Sequence, residues 1–214
     1  MSENMNSPLF SVHYLPCIAY FKKIVLYETI VIETQENYIK QSYRNRCKIL
    51  SANGVLPLII PINHQSNQLI SEIKTQTDTN WKRHHWQSII SAYNSSPYFL
   101  YYKDGFEDIY QNENIDDLFQ FNLALFKLCL KLLKLETQIV FTQDYQKNIE
   151  LDFRNAFNAK QTLENLEVFK PYYQVFDSKY SFQPNLSIID LLFSQGPYSK
   201  SYLHELATNT NLRQ

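Results

Sequence analysis

Only three glycines, Gly54, Gly105 and Gly196, are spread through 214 residues. That scarcity limits the chain more than any motif does. A phosphate-cradling loop of the P-loop type needs two glycines five residues apart, and the dinucleotide fingerprint needs three within six. Neither spacing occurs, so Walker-type ATP hydrolysis and standard dinucleotide binding are excluded. The one glycine in a tight-turn context is Gly54. The pair Asn53-Gly54 lies between the apolar runs Cys47 to Leu50 and Leu56 to Ile62, and both residues tolerate positive φ, which is the hairpin signature. Pro57 and Pro61 place the second hairpin strand at an edge, where a missing N–H costs no ladder bond.

A formal net charge of -1 argues against a nucleic-acid partner, because phosphate neutralisation demands a basic excess. A local basic patch is still available at Lys40, Arg44, Arg46 and Lys48. Cys17, Cys47 and Cys129 form no close pair, the pattern of a reduced, intracellular protein. No zinc spacing exists among the cysteines and histidines, so no metal is expected, and no motif calls for a cofactor. Met1 to Phe10 lacks the features of a signal peptide. Leu118 to Leu135, the most apolar long stretch, is interrupted by Lys127, Lys131 and Lys134 and is too broken for a membrane helix. These features predict a cytoplasmic protein without membrane insertion. They leave the oligomeric state open.

With 44% hydrophobic and 19% charged residues, the chain can bury a core without disulfides. The pattern predicts a single layered α/β domain over residues 11–207. It would carry a mixed sheet, an N-terminal half of strands and a hairpin, and a mostly helical second half. Residues 1–10 read as a flexible terminus and 208–214 as a polar tail. Strands are expected at Ser11 to Leu15, Thr29 to Glu33, Ile70 to Ile73, Gln138 to Thr142 and Tyr172 to Phe176. Helices are expected at Ile18 to Tyr27, Trp81 to Tyr93, Tyr98 to Gln111 with an interruption near Gly105, and Asn155 to Leu166. Two more are expected at Leu186 to Phe193 and Ser199 to Ala207. A helix capped by Asn114 or Asp116 would carry the seam Leu118, Phe121, Leu125, Leu128, Leu132 and Leu135. That seam reads as core, with a dimer interface as the alternative.

The densest polar run is Lys40 to Cys47. If it is extended, Arg44 and Arg46 point the same way and form a paired guanidinium clamp for a carboxylate or phosphate. Asn45 would then face the other side, and Tyr43 would line the same region. The alternative is that an arginine pairs with an internal acid such as Glu33. Cys47, beside positive charge, is a candidate nucleophile or a small buried hydrophobe. His85 lies on the apolar face of its helix, as a general base at a pocket edge or as a hydrogen-bonded core residue. Tyr93 shares that ambiguity. Asp190, in an apolar helix, must find a partner or stay protonated, and it is expected to pair with Arg44 or Arg46 or to face the same cavity.

The run KQSYRNRCKI (Lys40 to Ile49) resembles the signature of the WbqC-like family. LPCIAYF (Leu15 to Phe21), Asn53-Gly54, Trp81, His85-Trp86, Ala92-Tyr93 and Ser96-Pro97-Tyr98-Phe99 match in order. PYYQVF (Pro171 to Phe176) and FQPNLSIIDLLFSQGP (Phe182 to Pro197) follow. The wording is most similar to the branch found in Bacteroidetes-type bacteria. Many members carry His-Gln-Pro where this chain has Phe10, Ser11 and Val12, and His13 is displaced from that histidine by three positions.

The resemblance implies transfer of an acyl or amino-acyl group, glycyl being one case, to a sugar in surface polysaccharide or O-antigen biosynthesis. An anionic small-molecule substrate would be held by Arg44 and Arg46, with His85 or Asp190 giving acid-base help. The competing expectation is a non-catalytic small-molecule-binding or assembly protein. A nucleotidyl transferase is disfavoured by the lack of glycine.

Overall fold

A computed structural model describes residues 7–157 and 169–211. Strand β1 (Leu9–Ser11) leads through helix α1 (Ile18–Ile24) to β2 (Thr29–Glu33). The two strands pair in parallel, Leu9 opposite Val31 and Ser11 opposite Glu33. Much later, β7 (Gln138–Phe141) adds to the other side of β2, also in parallel. Beyond β1 the sheet is extended by one short segment, where the Leu9 N–H donates to Leu151 O and the Phe153 N–H to Leu9 O. The β-branched run Thr29 to Glu33 suits the central position, and Ile30 and Ile32 are wholly buried.

Between β2 and β7 the chain first makes the hairpin β3 (Arg46–Ser51) and β4 (Gly54–Ile59). Gly54 takes φ +96, as the Asn-Gly turn requires. Each hairpin strand has a single ladder partner, so Pro57 sits on an edge opposite Lys48. A two-residue ladder, β5 (Ile62–Asn63) with β6 (Lys74–Thr75), follows. Then come α2 (Trp81–Tyr93), α3 (Phe99–Gln111) and α4 (Leu118–Leu132). The C-terminal part holds α5 (Asp177–Tyr180), α6 (Ile188–Gln195) and α7 (Ser199–Asn211). Helix α6 packs on α1, α3, α4 and α7. It is tied to the N-terminal half by Ser187 N–H on Lys48 O, Ile18 N–H on Leu186 O and Ser187 Oγ on Leu15 O.

The α/β class holds, with strands and hairpin first and helices after, but the strands form three separate sheets rather than one mixed sheet. Leu9 and Phe10, read as part of a frayed terminus, are buried strand. The first strand therefore begins two residues before the expected Ser11. Ile70–Glu72 is a 3-10 turn, not a strand. Tyr172 to Phe176 contains no strand. Helix α3 runs through Gly105 unbroken, because the glycine lets Leu128 of α4 pack close against it. The expected helix at Asn155 to Leu166 falls largely outside the described residues. Helix α4 is capped by Asp117, whose carboxylate accepts the Gln120 N–H at 2.8 Å. The expected caps were Asn114 or Asp116. Leu118, Phe121 and Leu125 of its seam are fully buried in the core, each burial contributing about 2 kcal/mol.

Candidate functional site

Because β1, β2 and β7 run in parallel, their carboxyl ends share one edge, the edge at which α/β folds place ligands. The side chains there are polar. Glu33, ending β2, accepts from Thr142 Oγ1 at 2.6 Å, from the Gln35 N–H at 2.8 Å and from Arg154 Nη1 at 2.9 Å. Arg154 also grips Asp152 through Nε and Nη2. Ser11, ending β1, accepts from Arg44 Nη2 at 2.7 Å and donates to Glu36 Oε2 at 2.9 Å. Arg44 closes on Glu36 with both oxygens engaged, Nε to Oε1 at 2.8 Å and Nη2 to Oε2 at 2.5 Å. All four of Glu33, Glu36, Arg44 and Arg154 are buried. Low dielectric makes their pairing obligatory.

The two arginines of the polar run therefore differ. Arg44 lies in a turn, before β3 begins at Arg46, so the extended geometry of a paired clamp is not formed. Arg44 is neutralised by an internal acid, as in the alternative reading, and that acid is Glu36 in place of Glu33. Arg46 is half-buried and has no ion pair among the described residues, and its buried Nε has no hydrogen-bond partner. Tyr38 lies within its field. Burial raises the Tyr38 phenol while Arg46, then Arg44, pull it back. The Tyr38 ring meets His64 edge-on at 5.3 Å, and His64 Nδ1 is also buried without a partner.

More polar atoms around this segment are unsatisfied. Asn45 donates Nδ2 to Ile60 O and Asn122 donates Nδ2 to Arg44 O, yet both amide oxygens are unpaired. His13, two residues past β1, is buried against Tyr20 and Tyr43 with both ring nitrogens unpaired. Burial and the Arg44 charge hold it neutral. Of the eight side-chain atoms unsatisfied in this way among the described residues, six belong to His13, Asn45, Arg46, His64 and Asn122. Buried polar atoms are ordinarily paired, so these are the exceptions among the described residues.

The other candidates go elsewhere. His85 Nδ1 meets the Tyr14 hydroxyl at 2.9 Å, and that hydroxyl meets Tyr110 at 2.5 Å. Burial lowers His85 to about 4, against the opposing pull of the Ile59 carbonyl. Asp190 does not reach either arginine. It accepts from Tyr93 at 3.0 Å, Tyr172 at 2.5 Å and Gln174 Nε2 at 2.8 Å. Burial raises its carboxyl pKa, and these three donors offset part of the rise. Cys47 is 1% exposed, and burial pushes its thiol far above neutrality, so the thiolate of a nucleophile is not populated. Tyr43 is buried with its carbonyl on the Tyr14 N–H. Arg44, Arg46, His85 and Asp190 thus do not converge. A 790 Å³ cleft lined by Trp81, Lys82, Trp86, Glu107 and Tyr110 contains none of them.

Sequence reasoning passed over Glu36, Ser11, Arg154, Tyr38, His64 and Asn122. Asn122 was the detectable one, a lone amide on the apolar face of α4.

The model of the WbqC-like protein family matches residues 12–164, a stretch that begins just after β1 and contains the polar run and the whole α2–α4 region. The chain belongs to the WbqC-like family. Among curated relatives, the uncharacterized protein Rv1507c of Mycobacterium tuberculosis is 23% identical over 222 residues, covering 89% of this chain and 94% of that one. No solved structure matches. In this WbqC-like chain no group of three or more His, Cys, Asp or Glu among the described residues could hold a metal ion. No helix there is long and apolar enough to cross a membrane.

Proposed function

We propose that this WbqC-like chain is a cytoplasmic transferase that binds an anionic small molecule at Arg46 and moves an acyl or amino-acyl group to a sugar amine or hydroxyl in surface polysaccharide assembly. The reaction class follows from the family resemblance. The placement of the site rests on one observation: Arg46 presents a guanidinium with a buried, unpartnered Nε beside a second arginine that is already neutralised. An arginine left without an acid in a partly buried setting carries a desolvation cost that an anionic ligand relieves.

All three thiols are buried and raised by burial. A covalent thioester intermediate is therefore disfavoured. In direct transfer, the acceptor nitrogen or oxygen attacks the donor carbonyl carbon. The bond to the leaving group breaks with its electron pair, and the acceptor gives up its proton. The same burial, with His85 and Asp190 both engaged inside the core, favours a second reading as a binding protein without chemistry of its own.

The test is thermal shift with acyl and amino-acyl donors on the wild type, Arg46→Ala and Arg46→Lys, followed by a transfer assay with amino-sugar acceptors. A ligand at a hundredfold its Kd stabilises by about 2.7 kcal/mol, and Arg46→Ala should lose that shift while keeping its own melting point. An equal shift in Arg46→Ala overturns the site. Binding without turnover selects the second reading.

A further inference from the structure

The 790 Å³ cleft lies apart from Arg44 and Arg46 and has its own chemistry. Its walls come from the start of α2, the end of α3 and the segments 75–80 and 111–116. Its volume is that of a small-molecule site. Five charged residues line it: Lys82, Arg83, Glu107, Glu113 and Asp116. Lys82 Nζ donates to Asn112 O at 2.6 Å and to Ile115 O at 2.7 Å. Asp116 is paired with Lys74 at 3.0 Å. The remaining cation, Arg83, is exposed and outnumbered by Glu107 and Glu113. An anion would therefore meet no buried, uncommitted cation here, which is what holds anions in partly desolvated sites.

The floor excludes a flat aromatic ligand as well. Trp86 lies near-parallel to Phe99 at 6.2 Å and to Tyr110 at 5.7 Å, which take up its ring faces. Trp81 meets His85 and Phe121 edge-on, and all three lining aromatics, Trp81, Trp86 and Tyr110, are buried. A nucleobase needs a free ring face to stack on, and none is offered.

Hydrogen bonding is what the walls do offer. The side-chain amides of Gln76, Asn80 and Gln87 line the cleft and make no hydrogen bond among the described residues, and Asn80 and Gln87 are exposed. An amide donates and accepts at once. Glu107 Oε1 accepts from Trp86 Nε1 at 3.2 Å and from Gln111 Nε2 at 3.1 Å, so the carboxylate is held in place while Oε2 has no partner among the described residues. A fixed carboxylate oxygen among amides that both give and take hydrogen bonds suits a ring of hydroxyls, each of which also does both.

We infer that this cleft is a saccharide site, which takes an uncharged sugar through Glu107 Oε2 and the amides of Asn80 and Gln87. The binding is independent of Arg46; only the part of that sugar as acceptor rests on the transfer reading above.

Trp81 and Trp86 are the chain's two tryptophans, and both line the cleft, so tryptophan emission reports its occupancy. The full chain is titrated with glucose and N-acetylglucosamine, with glucuronate as the anionic contrast on the same ring and uridine as the flat one. The expected result is a saturable emission change with a neutral sugar, with a Kd of about 1 mM or tighter and at least about tenfold below that for glucuronate. Glu107→Gln, and Asn80→Ala combined with Gln87→Ala, should each weaken it about fivefold or more. Glutamine keeps an oxygen for Trp86 and Gln111, and the two exposed amides make no internal bonds, so the fold loses no contact; unaltered circular dichroism checks this. No saturable change with either neutral sugar, tighter binding of glucuronate or uridine, or sugar binding unchanged in both variants overturns the inference. Donor binding that survives Arg46→Ala while sugar binding behaves as expected overturns the Arg46 site and leaves the cleft standing.

Discussion

Glu36 holds Arg44 side-on, with Nε 2.8 Å from Oε1 and Nη2 2.5 Å from Oε2, and Ser11 completes the contact from the end of β1. The pair pins the loop after β2 to the turn before β3, so it fixes where Arg46 begins its strand.

Breaking that pair from one side should be costly. Glu36→Gln leaves a buried guanidinium without its counter-charge, and the expected loss is about 3–5 kcal/mol. Replacing both partners by apolar residues of similar size, Glu36→Leu with Arg44→Met, should cost much less, because no charge is stranded. Urea unfolding of Glu36→Leu, Arg44→Met and the double variant, beside Glu36→Gln, measures the coupling. A Glu36→Gln cost below about 1 kcal/mol would mean the pair is solvated.

Acid sensitivity should come in part from His85. Its pKa falls from 6.5 in the unfolded chain to about 4 in the fold. A lowered histidine contributes stability that is present above the unfolded value and is lost as the pH falls towards the folded one, because the unfolded state takes up the proton first. The loss through that window is about 3 kcal/mol. His85→Gln, which keeps a polar partner for Tyr14, should flatten this part of the pH profile. Part of the slope should remain, since His13 is shifted the same way. Urea midpoints between about pH 7 and about pH 4 test it, and an unchanged slope in the variant would refute the assignment.

Gly196 and Gly105 should differ in their tolerance of alanine. At Gly196, φ is +51 and a Cβ would lie 2.4 Å from the Tyr98 ring, so Gly196→Ala should cost more than about 2 kcal/mol. At Gly105 the nearest atom, 3.0 Å away, is a terminal methyl of half-buried Leu128. A small shift there is offset by about 1 kcal/mol of helix propensity, and Gly105→Ala should be close to neutral. Thermal unfolding of the two variants decides this.

Much of the local structure was legible. The β-branched run Thr29 to Glu33, the Asn53-Gly54 turn and the helix from Trp81 to Tyr93 lie where periodicity and turn chemistry put them. The site was legible only in outline. The polar run drew attention to Arg44 and Arg46, but treated them as equivalents. Spacing of two implies a shared face only in an extended segment, and the turn at Arg44 removes that condition. Asp190 was recognised as a buried acid in need of partners, whereas Tyr93, Tyr172 and Gln174 as those partners come from remote segments.

The order of short-range choices, which residues turn, which alternate and which periods repeat, is a property of neighbouring residues, so the sequence alone determined the α/β class and most element positions. Which arginine is spent and which is free was decided by the tertiary structure. Ser11 meets Arg44 and Glu36 only after the crossover from β1 to β2 brings the carboxyl ends of those parallel strands side by side. Charge compensation in a buried setting depends on distances of a few ångströms that no linear spacing encodes.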